Sequence, residues 1–151
     1  MRGIAAAQAP FLAPKGFAVD VDADEGLIAS FDRQAFEQIL VNLMDNAAKY
    51  AVDGGEKTIR VEVKDAGKDA VVRVLDRGGG IPTHEQERVF QRFHRVERPG
   101  QDHVVGTGLG LALVRELAQA HGGSAVARHR DGGGCSIEVR IPKGVGADAD
   151  A

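Results

Sequence analysis

Asn42, Asn46 and Lys49 fall at spacings of four and three, so on a helix they share one face, with Tyr50 beside them. Asparagine is a poor helix former, and this polar face adjoins the apolar stripe of the same segment instead of opposing it. Two side-chain amide oxygens one turn apart, with an ammonium one turn further on, suit a magnesium ion whose remaining ligands are phosphates and water, the lysine neutralising phosphate. From spacing alone, the alternative is a solvated face with two indifferent asparagines.

Two glycine-rich segments offer further chemistry. In DRGGGIP, Asp76 to Pro82, consecutive glycines let the backbone take positive φ and let a flat ligand approach, while a carboxylate at a strand end accepts from an exocyclic amine. That makes an adenine grip, with an ordinary glycine turn as the bland alternative. In GTGLGL, the backbone amides of Gly106, Thr107, Gly108, Leu109 and Gly110 stand at a helix start, and free amides backed by the helix dipole form an anion site. No strand leads directly into it and no GK[ST] ending follows, which argues against a dinucleotide crossover and a P-loop. Arg92, Arg95 and Arg98 can bring charge to a terminal phosphate, although at least one is expected to be a solvated surface residue.

The elements that must hold these residues are readable from periodicity. FAVDVD, Phe17 to Asp22, alternates as a half-buried strand, and LIAS from Leu27 adds a short second one. Asp32 N-caps a helix whose Phe36, Ile39, Leu40, Leu43 and Ala47 form a core stripe, ending near Ala51. KTIRVEVK and AVVRVLD, joined by DAGKD, predict an antiparallel hairpin. Thr83 and Gln86 read as a capping box before a short helix carrying Val89 and Phe90. The aperiodic stretch from His94 to Gly106 has the length of a functional lid. Leu109, Leu113, Leu117 and Ala120 mark one face of a helix that stops at Gly122-Gly123, and SAVARH with CSIEVRI closes the chain as a hairpin. This order predicts an α+β fold, a two-layer sandwich with about three helices on one face of a mixed sheet of about five strands. Residues 17–142 make the domain, 1–16 a linker into it and 143–151 a disordered tail.

Composition narrows the function classes. A chain of 151 residues with 43% hydrophobic content suits one domain. No apolar run is long enough to span a membrane, so no direct membrane contact is expected. The net charge of −3 gives no general attraction to nucleic acid, and any anion site must be local. Cys135, the lone cysteine, excludes an internal disulfide and a cysteine-rich zinc site and reads as a small core thiol in a strand.

Taken together and in this order, NLMDNAAKY, DRGGGIP, FQRFHR and GTGLGLALVRELAQAHGG closely resemble the asparagine, first glycine, phenylalanine and second glycine boxes of bacterial sensor histidine kinases, and the likeness runs from about Phe17 to Ile141. The resemblance implies an ATP-binding catalytic domain in which Asn46, helped by Asn42, holds magnesium, Lys49 meets phosphate and Tyr50 lies near the base. Asp76 would accept from the adenine amino group, Gly78 and Gly80 would shape the pocket, and Ile81 would line it. Phe90 and Phe93 would anchor one end of the lid, Arg95 would reach the phosphates, and Gly106, Gly108 and Gly110 would wrap the triphosphate.

The implied reaction is phosphoryl transfer from Mg-ATP to a histidine on a separate dimerising helical segment, with a response regulator as the indirect partner. Positioning and charge stabilisation supply the catalysis. His84, His94, His103, His121 and His129 do not stand in an acceptor-like helix, so the isolated domain is expected to bind nucleotide and not to phosphorylate itself; it is also expected to be monomeric. A cytoplasmic location is implied, whether or not the dimeric parent is anchored in the inner membrane. Two other readings remain: a serine kinase of the anti-sigma-factor type, against which FQRFHR counts, and a non-catalytic nucleotide-binding module.

Overall fold

The computed structural model describes residues 18–23, 33–50, 58–78, 81–92 and 110–142, with the side chains of Arg33, Lys49 and Tyr50 excepted. Five strands, β1 (Ala18–Ala23), β2 (Thr58–Ala66), β3 (Asp69–Leu75), β4 (Ser124–His129) and β5 (Cys135–Pro142), form one sheet in the order β1-β2-β3-β5-β4. β1 runs parallel to β2, and every other neighbouring pair is antiparallel, so the sheet is mixed as expected. The described helices are α1 (Arg33–Tyr50) and α2 (Gly110–Ala120), with short 3-10 turns at Thr83–Glu85 and Arg88–Phe90.

Alternation along the strands separates two faces. Ile59, Val61 and Val63 of β2, Ala70, Val72 and Val74 of β3, and Ile137, Val139 and Ile141 of β5 point into one apolar cluster. Phe36, Ile39, Leu40, Leu43 and Ala47 of α1 and Val114 and Ala118 of α2 complete it from the helix side. Each large side chain buried this way contributes roughly 1.5–3 kcal/mol relative to exposure. The predicted α1 stripe is therefore the observed one.

The opposite face is ionic. Arg60 of β2 bonds Asp20 and Asp22 of β1 and Glu62 on its own strand, and the Glu62 hydrogen bond, with Asp20, holds its guanidinium above the ordinary arginine range. Further across, Arg73, Arg128 and Arg140 surround the Glu138 carboxylate.

Glycines make the turns that need a left-handed backbone. Gly67, at φ +81°, closes the β2–β3 hairpin and donates its N–H to Asp65 Oδ1 at 3.0 Å. α2 ends in a Schellman motif: Gly123 donates to Ala118 O, and Gly122, at φ +80°, donates to Gln119 O.

Two sequence expectations are corrected. The buried side of α2 is Leu111, Ala112, Val114 and Ala118, whereas Leu113 and Leu117 are half-buried and Ala120 is exposed. Opposite Arg115, Glu116 and Gln119 the helix carries an apolar arc broad enough for two stripes, and packing against α1 selects the one rotated from Leu109-Leu113-Leu117-Ala120. Nor do Thr83 and Gln86 form a capping box. Pro82 is the N-cap without a side-chain bond, Thr83 Oγ1 meets His129 Nε2 at 3.3 Å, and Gln86 Nε2 reaches Ile81 O instead. The proline fixes the backbone ahead of Thr83, which places that residue inside the turn. The segments LIAS, Asp32 and His94–Gly106 lie outside the described residues, as do 1–16 and 143–151.

Candidate nucleotide site

Register brings the three motif regions to one end of the sheet. β2 starts at Thr58, a few residues after α1 ends at Tyr50, and Arg60 near that start pairs with Leu75 at the end of β3. The C-terminal half of α1 and Asp76 therefore share an end. α2 leads through Gly122 and Gly123 into Ser124, which pairs with Arg140 near the far end of β5. Its N-terminus, about 16 Å back along the helix axis, thus returns to the end where Asp76 lies.

Side-chain geometry bears this out for α1 and α2. A Cβ built on Gly110, the first residue of α2, would stand 3.7 Å from Asn42 Oδ1. Asn42 and Asn46 are both half-buried, and the Asn42 Nδ2 is buried with no hydrogen-bond partner among the described residues. A buried amide donor without a partner carries a cost of about 1–3 kcal/mol. In this orientation it suits an anionic oxygen, and a half-turn of the amide presents Oδ1 to a cation instead. The donor set thus fits a phosphate and its magnesium ion. No cluster of three or more His, Cys, Asp or Glu residues that could hold a metal occurs among the described residues.

Asp76 is 5% exposed at the exit of β3. Its N–H continues the sheet ladder to Cys135 O at 3.0 Å, and its Oδ1 accepts from the Gly78 N–H at 2.8 Å. The carboxylate is thereby held at the strand end in an Asx turn. Ile81 follows at 7% exposure as part of the core cluster.

Behind Ile81, Phe90 is buried, and the Arg115 guanidinium of α2 lies 4.6 Å from its ring centroid. Arg115 also bonds Glu87, and Arg92 pairs with Glu116 at 3.0 Å, its side chain 65% exposed. Arg92 is thus a surface residue, as expected of at least one of the three arginines. These contacts fasten the segment before Phe93 to α2.

The Lys49 and Tyr50 backbones occupy the last turn of α1. Gly80, Phe93, Arg95, Arg98, Gly106, Thr107, Gly108 and Leu109 lie outside the described residues. Neither described α-helix contains a histidine; His84 precedes Glu85 but sits exposed in a three-residue 3-10 turn. Cys135 is buried, as a core thiol should be.

Sequence reasoning missed Arg77, whose Nη1 donates to Asp131 O at 2.5 Å and Gly133 O at 3.0 Å in the β4–β5 turn. The DRGGG motif and the second hairpin's glycine run were each visible, but nothing in the sequence joined them.

Known proteins resemble the chain in sequence and in fold. The sensor histidine kinase WalK of Bacillus subtilis is 38% identical over 119 residues, covering 79% of this chain and 20% of that protein. The histidine-protein kinase AfsQ2 of Streptomyces coelicolor is 38% identical over 135 residues, covering 88% of this chain and 24% of that protein. The chain thus spans about a fifth to a quarter of the length of these relatives. Among solved structures, full-length ShkA in complex with AMPPNP superposes with a TM-score of 0.75 at 26% identity, covering 93% of this chain and 28% of that one. The nucleotide-free catalytic domain of histidine kinase ThkA superposes at 0.76 over 95% of this chain and 90% of that one; at 24% identity this speaks to the fold. The model of the histidine kinase-, DNA gyrase B- and HSP90-like ATPases matches residues 31–145, and the chain belongs to that family.

Proposed function

We propose that this domain is the catalytic part of a sensor histidine kinase: it binds Mg-ATP and passes the γ-phosphoryl group to a histidine nitrogen on a helical segment outside residues 17–142. The observation that carries the reading is the buried, unpartnered Asn42 amide beside Gly110 at the start of α2. A helix start leaves its first amides without intrahelical partners, so an anion placed there meets donors from two elements at once.

In this reading Asp76 accepts from the adenine amino group, Ile81 lines the base, and Gly78 and Gly80 leave room for it. Tyr50 lies beside the base. Asn42 and Asn46 hold the magnesium ion, which spreads the charge of the phosphate oxygens. Lys49 and Arg95 neutralise phosphate, and the amides of Gly106, Thr107, Gly108, Leu109 and Gly110 wrap it. The histidine nitrogen is already a nucleophile, so the domain's own residues supply alignment and charge stabilisation. The names of the relatives support the kinase reading over a non-catalytic module.

The wider assignments belong to the same proposal. Residues 1–16 lead from a histidine-bearing dimerisation segment and 143–151 form a tail. A response regulator receives the phosphoryl group, and the domain works in the cytoplasm. No described helix is long and apolar enough to cross a membrane.

Calorimetric titration with ATP, with and without magnesium, beside Asp76→Ala tests the site. Magnesium-dependent binding that the variant loses is the expected result; no binding by folded wild-type protein removes the reading. A histidine-bearing helical segment added in trans with labelled ATP tests the transfer. Acid-labile phosphate should appear on that segment and not on this chain.

A further inference from the structure

Asp76 stands one residue beyond β3, where the pairing with β2 has ended at Leu75 and its backbone N–H carries the ladder on to Cys135 O of β5. A carboxylate that reads a base must be fixed to about half an ångström. The Gly78 N–H holds its Oδ1, and the β4–β5 turn packs against the peptide that carries it. Gly132, Gly133 and Gly134 have φ of +85°, +106° and +109°, which curls the turn around the Asp76–Arg77 peptide. A Cβ on Gly134 would fall 2.0 Å from Asp76 O and 2.9 Å from the Arg77 Cα. From the other side, Arg77 Nη1 donates to both Asp131 O and Gly133 O. Bonds from a charged donor to turn carbonyls are among the stronger ones available to an exposed side chain.

We propose that Arg77 is a positioning residue for base recognition, locking the β4–β5 turn onto the Asp76 peptide so that the carboxylate favours a base bearing an exocyclic amine over one bearing a carbonyl. This rests on the reading of Asp76 as the adenine acceptor. Arg77 touches no nucleotide in this account. It acts through the turn, and Gly78 in turn orients Oδ1.

The test is calorimetry on the full 151-residue chain with three magnesium-loaded ligands: ATP, inosine triphosphate, whose base carries a carbonyl in place of the amine, and tripolyphosphate. Arg77→Met keeps the apolar stem and removes the donors. It should weaken ATP about tenfold while leaving inosine triphosphate and tripolyphosphate within about twofold, narrowing the ATP preference by the value of one charged hydrogen-bonded contact. Arg77→Lys, whose ammonium can still donate to both carbonyls, should recover most of that preference. A folded Arg77→Met chain with the wild-type ATP-to-inosine ratio overturns the inference, and so does an equal loss on all three ligands, which would mean general loosening. Should Arg77→Met not fold, Gly133→Ala carries the test. Nothing lies within 4 Å of a Cβ there, yet the turn carbonyl that Arg77 bonds must shift, and the same narrowing is expected. Wild-type protein that binds both nucleotides equally removes the Asp76 reading first and this inference with it. Discrimination retained by Arg77→Met removes this inference alone.

Discussion

Gly134 lies so close to the carbonyl of Asp76 that a methyl group on it would stand 2.0 Å from that oxygen. Gly133, at nearly the same φ, has open space where its methyl would go. The pair separates steric contact from backbone conformation. Gly133→Ala should cost about 1–2 kcal/mol, the strain of a left-handed alanine. Gly134→Ala carries that strain and an overlap with backbone, and should cost at least about 3 kcal/mol. Urea unfolding of the two variants measures the difference; equal losses would mean that the turn does not press on Asp76.

The hairpins and α1 were legible because each turns one regularly spaced apolar row to the core. Alternation in residues 57–64 and 70–76 matches β2 and β3 almost to the residue, and the stripe from Phe36 to Ala47 packs as its spacing predicts. The face of α2 was not legible, because its apolar arc is wider than the stripe that packs and leaves the choice to the partner helix. Thr83 and Gln86 matched a capping pattern, but Pro82 takes the cap position and His129 takes the threonine hydroxyl. Asp76, Asn42 and Gly110 stood out by residue type and context. Arg77 did not, since its partners are carbonyls on a turn more than fifty residues away, and main-chain acceptors leave no mark in a sequence.

Phe90 holds the segment before Phe93 to the core, and Arg115 covers its ring. Phe90→Ala should cost about 3–5 kcal/mol, the range for emptying a buried aromatic site. Arg115→Met loses the ring contact and the pairing with Glu87, whose side chain is 77% exposed. About 0.5–1 kcal/mol is expected from the ring contact, and little from the solvent-screened ion pair. The stability difference between wild type and Arg115→Met should therefore change only weakly with added salt. A large salt dependence would move the weight from the ring to the ion pair.

Glu138 is nearly buried on the face of the sheet that carries the ion pairs, with Arg73 at 3.1 Å, Arg128 at 3.4 Å and Arg140 at 3.6 Å. These arginines are partly exposed and regain water when the carboxylate is lost. Glu138→Gln should therefore cost about 1–3 kcal/mol, below the penalty for breaking a fully buried pair. Asp20→Asn, at the exposed end of the same face, should stay within about 0.5 kcal/mol of wild type. Similar losses in both would show that burial of Glu138 adds nothing to its pairing.

Asn42 sets stability against binding. Its Nδ2 is buried without a partner among the described residues, and asparagine is also a poor residue for the interior of α1. An apolar replacement of similar size removes both penalties. Asn42→Leu should raise the stability of the nucleotide-free domain by about 1 kcal/mol while abolishing magnesium-dependent ATP binding. Thermal unfolding without nucleotide, beside calorimetry with Mg-ATP, reads the two effects separately. A less stable Asn42→Leu domain would place the amide in the packing of α1 against α2. A more stable domain that still binds Mg-ATP with wild-type affinity would free Asn42 from the nucleotide and leave Asn46 as the magnesium ligand on that face. The proposed trade-off requires both changes in one variant, because the same unpaired amide is costly without the phosphate and useful with it.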